Sequence, residues 1–208
     1  VRNPLNSISL QLSILERRVS RLEPRMAGEM SSLVGIIRDE VRRLDSLVGD
    51  FLLFSRASRV QHQPGDLEDV VDEVSRLLAP EAQAQGVRLE RGRQGEALPP
   101  VRMDAEKMKQ VVINLVRNAI EAMPDGGVVT VESGLSEGGA RIAVRDSGPG
   151  LPADVDVFQI FVTTKPQGTG LGLSIVQQIV QQHRGEVRAD NHPGGGACFT
   201  VTVPLDGG

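Results

Sequence analysis

Gln110-Val-Val-Ile-Asn114-Leu-Val-Arg-Asn118-Ala-Ile-Glu121-Ala122 reads as a helix with two different faces. Val111, Val112, Leu115, Ile120 and, just beyond, Met123 recur at helical spacing and define an apolar side. Asn114 and Asn118 stand four apart, so their amides share one face, and Gln110 continues that stripe. Asp104 is the expected N-cap, and the helix is expected to run to about Met123. Carboxamide oxygens suit a hard cation such as Mg²⁺ when the phosphates of a nucleotide supply the charge. An isolated Asn pair on a helix is more often a solvated surface. The apolar residues crowded around this pair leave little room for a purely solvated face.

Two glycine-rich stretches follow. Asp146-Ser147-Gly148-Pro149-Gly150 closes an alternating strand, Arg141 to Asp146. A carboxylate there can accept a hydrogen bond from an exocyclic amine such as that of adenine. Gly148 and Gly150 would let the backbone approach a flat base. The same residues also read simply as a strand and a turn. Gly168-Thr169-Gly170-Leu171-Gly172-Leu173 precedes a helix expected to open at Thr169 or Gly170 and run to about His183. The N–H groups of a helix start form an anion site suited to phosphates. This is not the dinucleotide fingerprint, because Thr163-Thr164-Lys165-Pro-Gln replaces the strand which that fingerprint needs, and no GxxxxGK[ST] loop exists. Between the two stretches, Leu151 to Gln167 reads as a hinged lid, with Phe158 and Phe161 as apolar anchors. Lys165 reads equally as a phosphate contact or a solvated lysine.

Upstream the period changes. Leu5, Ile8, Leu12, Leu15, Val19 and Leu22 step by three and four, a heptad seam expected to stop at Leu22 or Glu23, before Pro24 and Gly28. Met30, Leu33, Ile37, Val41, Leu44, Val48 and Phe51 form a second seam. Two antiparallel helices joined by a short turn follow from this. Such a hairpin cannot bury both faces alone, so pairing two copies into a four-helix bundle, a homodimer, is expected over a monomeric hairpin. His62-Gln63-Pro64-Gly65 marks a linker. Asp66 to Gln85 reads as an amphipathic helix, and Val87 to Glu90, Val128 to Ser133, Glu186 to Ala189 and Phe199 to Val203 as strands. The fold class expected is an α-helical hairpin forming a dimeric four-helix bundle, then an α/β two-layer sandwich with three helices on one face of a mixed sheet. The boundaries are 1–61 for the hairpin, 62–66 for the linker and 67–208 for the α/β domain.

Composition narrows the function. Of 208 residues 39% are hydrophobic and 24% charged, as in a core-forming domain, but only 2% are aromatic, so base-stacking platforms are not expected. The net charge of −4 argues against a nucleic-acid footprint. The single cysteine, Cys198, fits a reducing compartment and reads as a small buried hydrophobe. No apolar run approaches a membrane span, and no secretory leader is evident. The chain opens on Val1 in what reads as mid-helix and is taken as a fragment, cytoplasmic, with any membrane anchor upstream. His62, His183 and His192 do not organise, so neither zinc nor a hydrolase triad is expected.

Five ordered stretches resemble the catalytic core of bacterial two-component sensor histidine kinases, within the GHKL (Bergerat) ATPases. Asn114 to Glu121 is similar to the N box, Asp146 to Gly150 to the G1 box, Phe158 to Lys165 to the F box, and Gly168 to Leu173 to the G2 box. Arg2-Asn3-Pro4-Leu5 is similar to the end of the H box. The resemblance implies Mg-ATP binding, with Asn118, helped by Asn114, holding Mg²⁺ and Asp146, Gly148 and Gly150 reading adenine. It implies ATP contacts from Arg117, Thr163, Thr164 and Lys165, with Lys165 also catalytic. The turn Gly168, Thr169, Gly170, Leu171, Gly172 and Leu173 would bind phosphates. It further implies γ-phosphoryl transfer to a histidine two residues before the position of Val1, then to an aspartate of a response-regulator receiver domain. Asn3 would stand where the family often has the residue that orients water for dephosphorylating the regulator. Lacking that histidine, the chain as given is expected to bind ATP and dimerise without phosphorylating itself there. Ala197 and Cys198 replace threonines common in the family, which puts a hydroxyl contact to the nucleotide in doubt. The alternative reading is a GHKL ATP-binding scaffold, pseudokinase or anti-sigma-type serine kinase. A coiled-coil protein with an inert α/β part is a third.

Overall fold

The computed structural model describes residues 2–19, 24–55, 60–95, 97–153, 155–163, 165 and 169–206. The chain divides into two compact units, Val1–Ala57 with Phe161–Leu171, and Ser58–Ile160 with Gly172–Gly208.

The first unit is built on α1 (Arg2–Val19) and α2 (Pro24–Ser55). Pro24, which the pattern suggests as the end of one helix, opens the next one, where its missing N–H costs nothing. The end of the first seam, at Leu22 or Glu23, lies outside the described residues. Leu12 and Val19 of α1 meet Val34 and Val41 of α2 in a small buried cluster, each pair seven residues apart. Val34 is not a residue of the expected seam. The seam residues Ile8, Leu15, Met30, Leu33, Ile37 and Leu44 remain exposed, with Leu10, Ile14 and Ile36 beside them.

In the second unit, α3 (Leu67–Ala84) starts at Asp66, whose carboxylate accepts from the N–H groups of Glu68 and Asp69. Asp104 likewise caps α4 (Ala105–Glu121) through the Lys107 N–H. The strands β2 (Val87–Gln94), β4 (Gly127–Ser136), β5 (Gly139–Asp146), β6 (Glu186–Asn191) and β7 (Ala197–Val203) form one sheet in the order β2-β4-β5-β7-β6. β2 and β4 are parallel and the other neighbours antiparallel.

Strand parity sorts the faces. Val129, Val131, Ile142, Val144, Phe199 and Val201 are buried, and so are Val70, Val74 and Leu78 of α3 and Met108, Val112, Leu115 and Val116 of α4. Ile175, Val176 and Ile179 of α5 (Gly172–Gln182) complete this core. The opposite sheet face carries Glu132, Arg141, Arg145, Thr200 and Thr202. Cys198 is in phase with Thr200 and Thr202, so it is half-buried with Sγ 3.9 Å from Thr200 Oγ1, not the buried hydrophobe expected.

Two short strands had no clear pattern in the sequence. β1 (Gln63–Gly65), within the expected linker, pairs antiparallel with β3 (Val101–Met103). At three residues each they are too short for alternation to register. Their pairing draws the linker onto the start of α4, where the Gln61 N–H donates to Asp104 at 3.2 Å.

Candidate nucleotide site

α4 is positioned by its apolar face, which leaves Asn114 and Asn118 half-buried on the other side. Asn114 Nδ2 donates to the carbonyl of Gly172, the first residue of α5, at 3.3 Å. The donation sets the amide so that its Oδ1 is the remaining acceptor end. Asn118 lies at the same place, since a Cβ on Gly172 would stand 3.9 Å from its Nδ2. The amide stripe therefore meets the helix start that follows the second glycine stretch. Two carboxamides beside helix N–H groups fit a hard divalent cation shared with phosphate oxygens.

Asp146 ends β5 and is 5% exposed. Its Oδ1 accepts from the N–H of Gly148 at 2.9 Å and of Ala197 at 3.1 Å. Two donors on one oxygen hold the carboxylate plane. A Cβ at Gly148 would be crowded, 3.0 Å from that Oδ1 and 3.1 Å from Met123 Cγ. Ala197, for which the sequence offers only the loss of a hydroxyl, contributes through its backbone. Gly196 allows this, with φ +83° and its Cβ position only 1.9 Å from the Asp146 carbonyl.

Arg117 does not join these groups. Its guanidinium forms a two-bond fork with Glu81 of α3, at 3.1 Å for each bond. The surface position on α4 was legible, but a partner 36 residues upstream was not. The two phenylalanines expected as anchors differ. Phe158 meets Phe199 of β7 edge to face at 6.4 Å, while Phe161 is exposed with φ +67°.

Phe161–Leu171 belongs to the other compact unit. Within it the Phe161 N–H donates to the Gly170 carbonyl at 3.0 Å, and a Cβ on Gly170 would lie 2.5 Å from the Phe161 carbonyl carbon. The Thr163 hydroxyl accepts from the Lys165 N–H and the Thr169 hydroxyl from the Leu171 N–H. Leu173 lies in the first turn of α5 and is half-buried. Thr164, Gly168 and the side chain of Asn3 lie outside the described residues.

His62 and His183, unrelated in the sequence, come together with ring centroids 5.2 Å apart. His183 is buried at the end of α5. Its Nε2 accepts from the Asp104 N–H at 3.0 Å, and its Nδ1 lies 2.8 Å from the Ile179 carbonyl. Accepting at Nε2 requires a proton on Nδ1, so the ring is neutral. Burial is the main cause that holds its pKa below the ordinary value, reinforced by His62 and opposed by the Ile179 carbonyl and Asp104. Among the described residues no cluster of His, Cys, Asp and Glu could hold a metal, and no helix is long and apolar enough to cross a membrane.

Residues 103–207 match the family described as histidine kinase-, DNA gyrase B- and HSP90-like ATPase, and residues 1–59 match the His Kinase A (phospho-acceptor) domain. The chain is 32% identical to sporulation kinase C of Bacillus subtilis over 99% of its length and 46% of that protein. It is 33% identical to the sensor histidine kinase ZraS of Escherichia coli over 99% of its length and 43% of that protein. It thus spans less than half the length of these curated relatives. Among solved structures, full-length ShkA in complex with AMPPNP aligns over 99% of this chain and 44% of ShkA, with TM-score 0.76 and 30% identity.

Proposed function

The chain belongs to the bacterial sensor histidine kinases, and from that premise we propose that it binds Mg-ATP and passes the γ-phosphoryl group to a histidine. The observation that carries the proposal is the Asn114–Gly172 hydrogen bond, which joins the amide helix to the start of α5; a buried Asp146, held at Oδ1 by two N–H groups, supports it. Asp146 Oδ2 accepts from the adenine amine, and Gly148 and Gly150 give the base room. Asn118 and Asn114 hold Mg²⁺, which neutralises phosphate charge. Gly168, Thr169, Gly170, Leu171, Gly172 and Leu173 offer N–H groups to the phosphates, and Thr163, Thr164 and Lys165 close over them. Arg117, whose Nε and Nη2 are held by Glu81, would contact a phosphate through its remaining nitrogen.

The chemistry is a displacement at phosphorus. A histidine nitrogen on the first helix, before Val1, attacks the γ-phosphorus, the bond to the β–γ bridging oxygen breaks, and ADP leaves. The ring loses a proton to solvent. A receiver-domain aspartate then takes the phosphoryl group. In the reverse regulation, Asn3 orients the water that dephosphorylates the regulator. Most of the enzyme's contribution is positioning and charge neutralisation.

Two copies pair through the exposed stripe of α1 and α2, and the domains divide as 1–61, 62–66 and 67–208. The stripe supports the pairing because Leu33, Ile37 and Leu44 repeat along one side of α2 without burial. The test is labelling from γ-labelled ATP on the chain extended by its native upstream residues. An acid-labile, base-stable phosphate is expected, lost in Asn118→Asp. Nucleotide binding with no label would favour the scaffold reading instead.

A further inference from the structure

We infer that Asn191 is a positioning residue for base recognition. It acts through the turn that carries Asp146, Gly148 and Gly150, and so rests on the adenine-reading role proposed for Asp146.

Asn191 ends β6, 40 residues from the turn it holds. Its Oδ1 accepts from the Leu151 N–H at 2.6 Å and its Nδ2 donates to the Leu151 carbonyl at 3.1 Å. A side-chain amide carries a donor and an acceptor side by side and can satisfy both main-chain groups of one residue at once. A hydroxyl or a carboxylate cannot make both bonds in this arrangement. The approach is close enough to dictate the neighbouring residue. Gly150 has φ +83°, and a Cβ there would stand 2.6 Å from Asn191 Oδ1.

The other end of the same turn is held from the same place. Ala197, paired with Asn191 across β6 and β7, sends its N–H to Asp146 Oδ1. The connection between the two strands is itself braced. The His192 N–H donates to the Gly196 carbonyl and the Gly195 N–H to the His192 carbonyl, both at 2.9 Å, and the Gly194 N–H donates to His192 Nδ1 at 3.1 Å. One rigid hairpin therefore fixes both the entry of the Asp146 turn, at the carboxylate, and its exit, at Leu151. With the exit released, the turn can rotate about its glycines. The carboxylate then no longer presents Oδ2 at a fixed angle to an exocyclic amine.

The experiment compares ATP with purine riboside 5′-triphosphate, which lacks the 6-amino group. Calorimetric Kd values are measured on the full chain and on Asn191→Ala, Asn191→Ser, Asp146→Asn and the Asn191→Ala/Asp146→Asn double variant. Melting temperatures are recorded without nucleotide. Asn191→Ala is expected to weaken ATP about tenfold, the scale of one lost hydrogen bond. The same change should leave the purine analogue within about twofold, so the preference for the amine collapses by roughly the same factor. Asn191→Ser, which keeps one bond at a time, should fall between and keeps the test valid if the alanine variant does not fold. In the Asp146→Asn background, Asn191→Ala should remove no further preference. Equal weakening of both nucleotides, or a lowered melting temperature with the preference intact, would make Asn191 a brace of the fold and overturn the inference. An unchanged preference in Asp146→Asn would instead remove the adenine-reading role itself, and the inference with it.

Discussion

The helical hairpin and the α/β unit use the same aliphatic alphabet to opposite effect. In the hairpin, Leu33 and Ile37 are 61% and 48% exposed, and among the described residues Leu12, Val19, Val34 and Val41 form a buried cluster. In the α/β unit, α4 alone buries seven residues, from Met108 to Ile120. The difference is geometric. A sheet offers a whole face to three helices, whereas two helices touch along one stripe and leave a second stripe wet. The first arrangement completes its core within the chain, while the second leaves a stripe that we propose another copy covers.

The largest effect should come from attacking the open stripe. Leu33→Asp with Ile37→Asp removes four apolar anchors from a symmetric pair, about 6 kcal/mol at the lower value per side chain. Sedimentation should show the dimer lost at micromolar concentration while the α/β unit keeps its melting transition. A double variant that stays dimeric would break the comparison, because the exposed stripe would not be where copies meet.

The converse change is next in size. Leu115→Ala, at a fully buried site of α4, should cost the α/β unit about 3 kcal/mol in denaturant unfolding. Sedimentation of the folded protein should be unaltered. Dissociation of the dimer by this change would mean that the two regions do not stabilise independently.

The smallest effect is a dependence on pH confined to the α/β unit. His183 has its pKa below the ordinary 6.5, so as pH falls the unfolded chain takes up this proton before the folded one does. Stability contributed at this site is complete above about pH 6.5 and declines as pH drops toward the folded-state value. Urea unfolding between pH 7.5 and 5 should show the decline, and His183→Gln should flatten it. A parent curve with no slope in that window would mean that His183 takes up its proton equally in the folded and unfolded chain, against a lowered folded-state pKa.

Legibility followed the range of the interaction. The stripe of Asn114 and Asn118, the cap at Asp104 and the strand ending at Asp146 are each specified within a few residues, so periodicity and capping chemistry reveal them. The fork from Arg117 to Glu81, the meeting of His62 with His183 and the clamp of Asn191 on Leu151 join residues 36 to 121 positions apart. Nothing local distinguishes those side chains from solvated ones. Ala197 is a stronger case, because its contribution is a backbone N–H, a group that every residue except proline carries. Only its placement opposite Asp146 brings that N–H to the carboxylate.

By itself the sequence determined that a heptad hairpin precedes a mixed α/β sandwich, and that an amide helix, a carboxylate and two glycine stretches occur in a fixed order. Those are properties of period and residue type, which act over one or two turns of chain. Tertiary structure alone decided which apolar stripe stays open, that Oδ1 of Asp146 is held by two main-chain N–H groups, and that the β6–β7 hairpin reaches both ends of the turn. These outcomes depend on angles and approaches between segments far apart in the chain, where an ångström decides whether a hydrogen bond forms and where only glycine allows the contact.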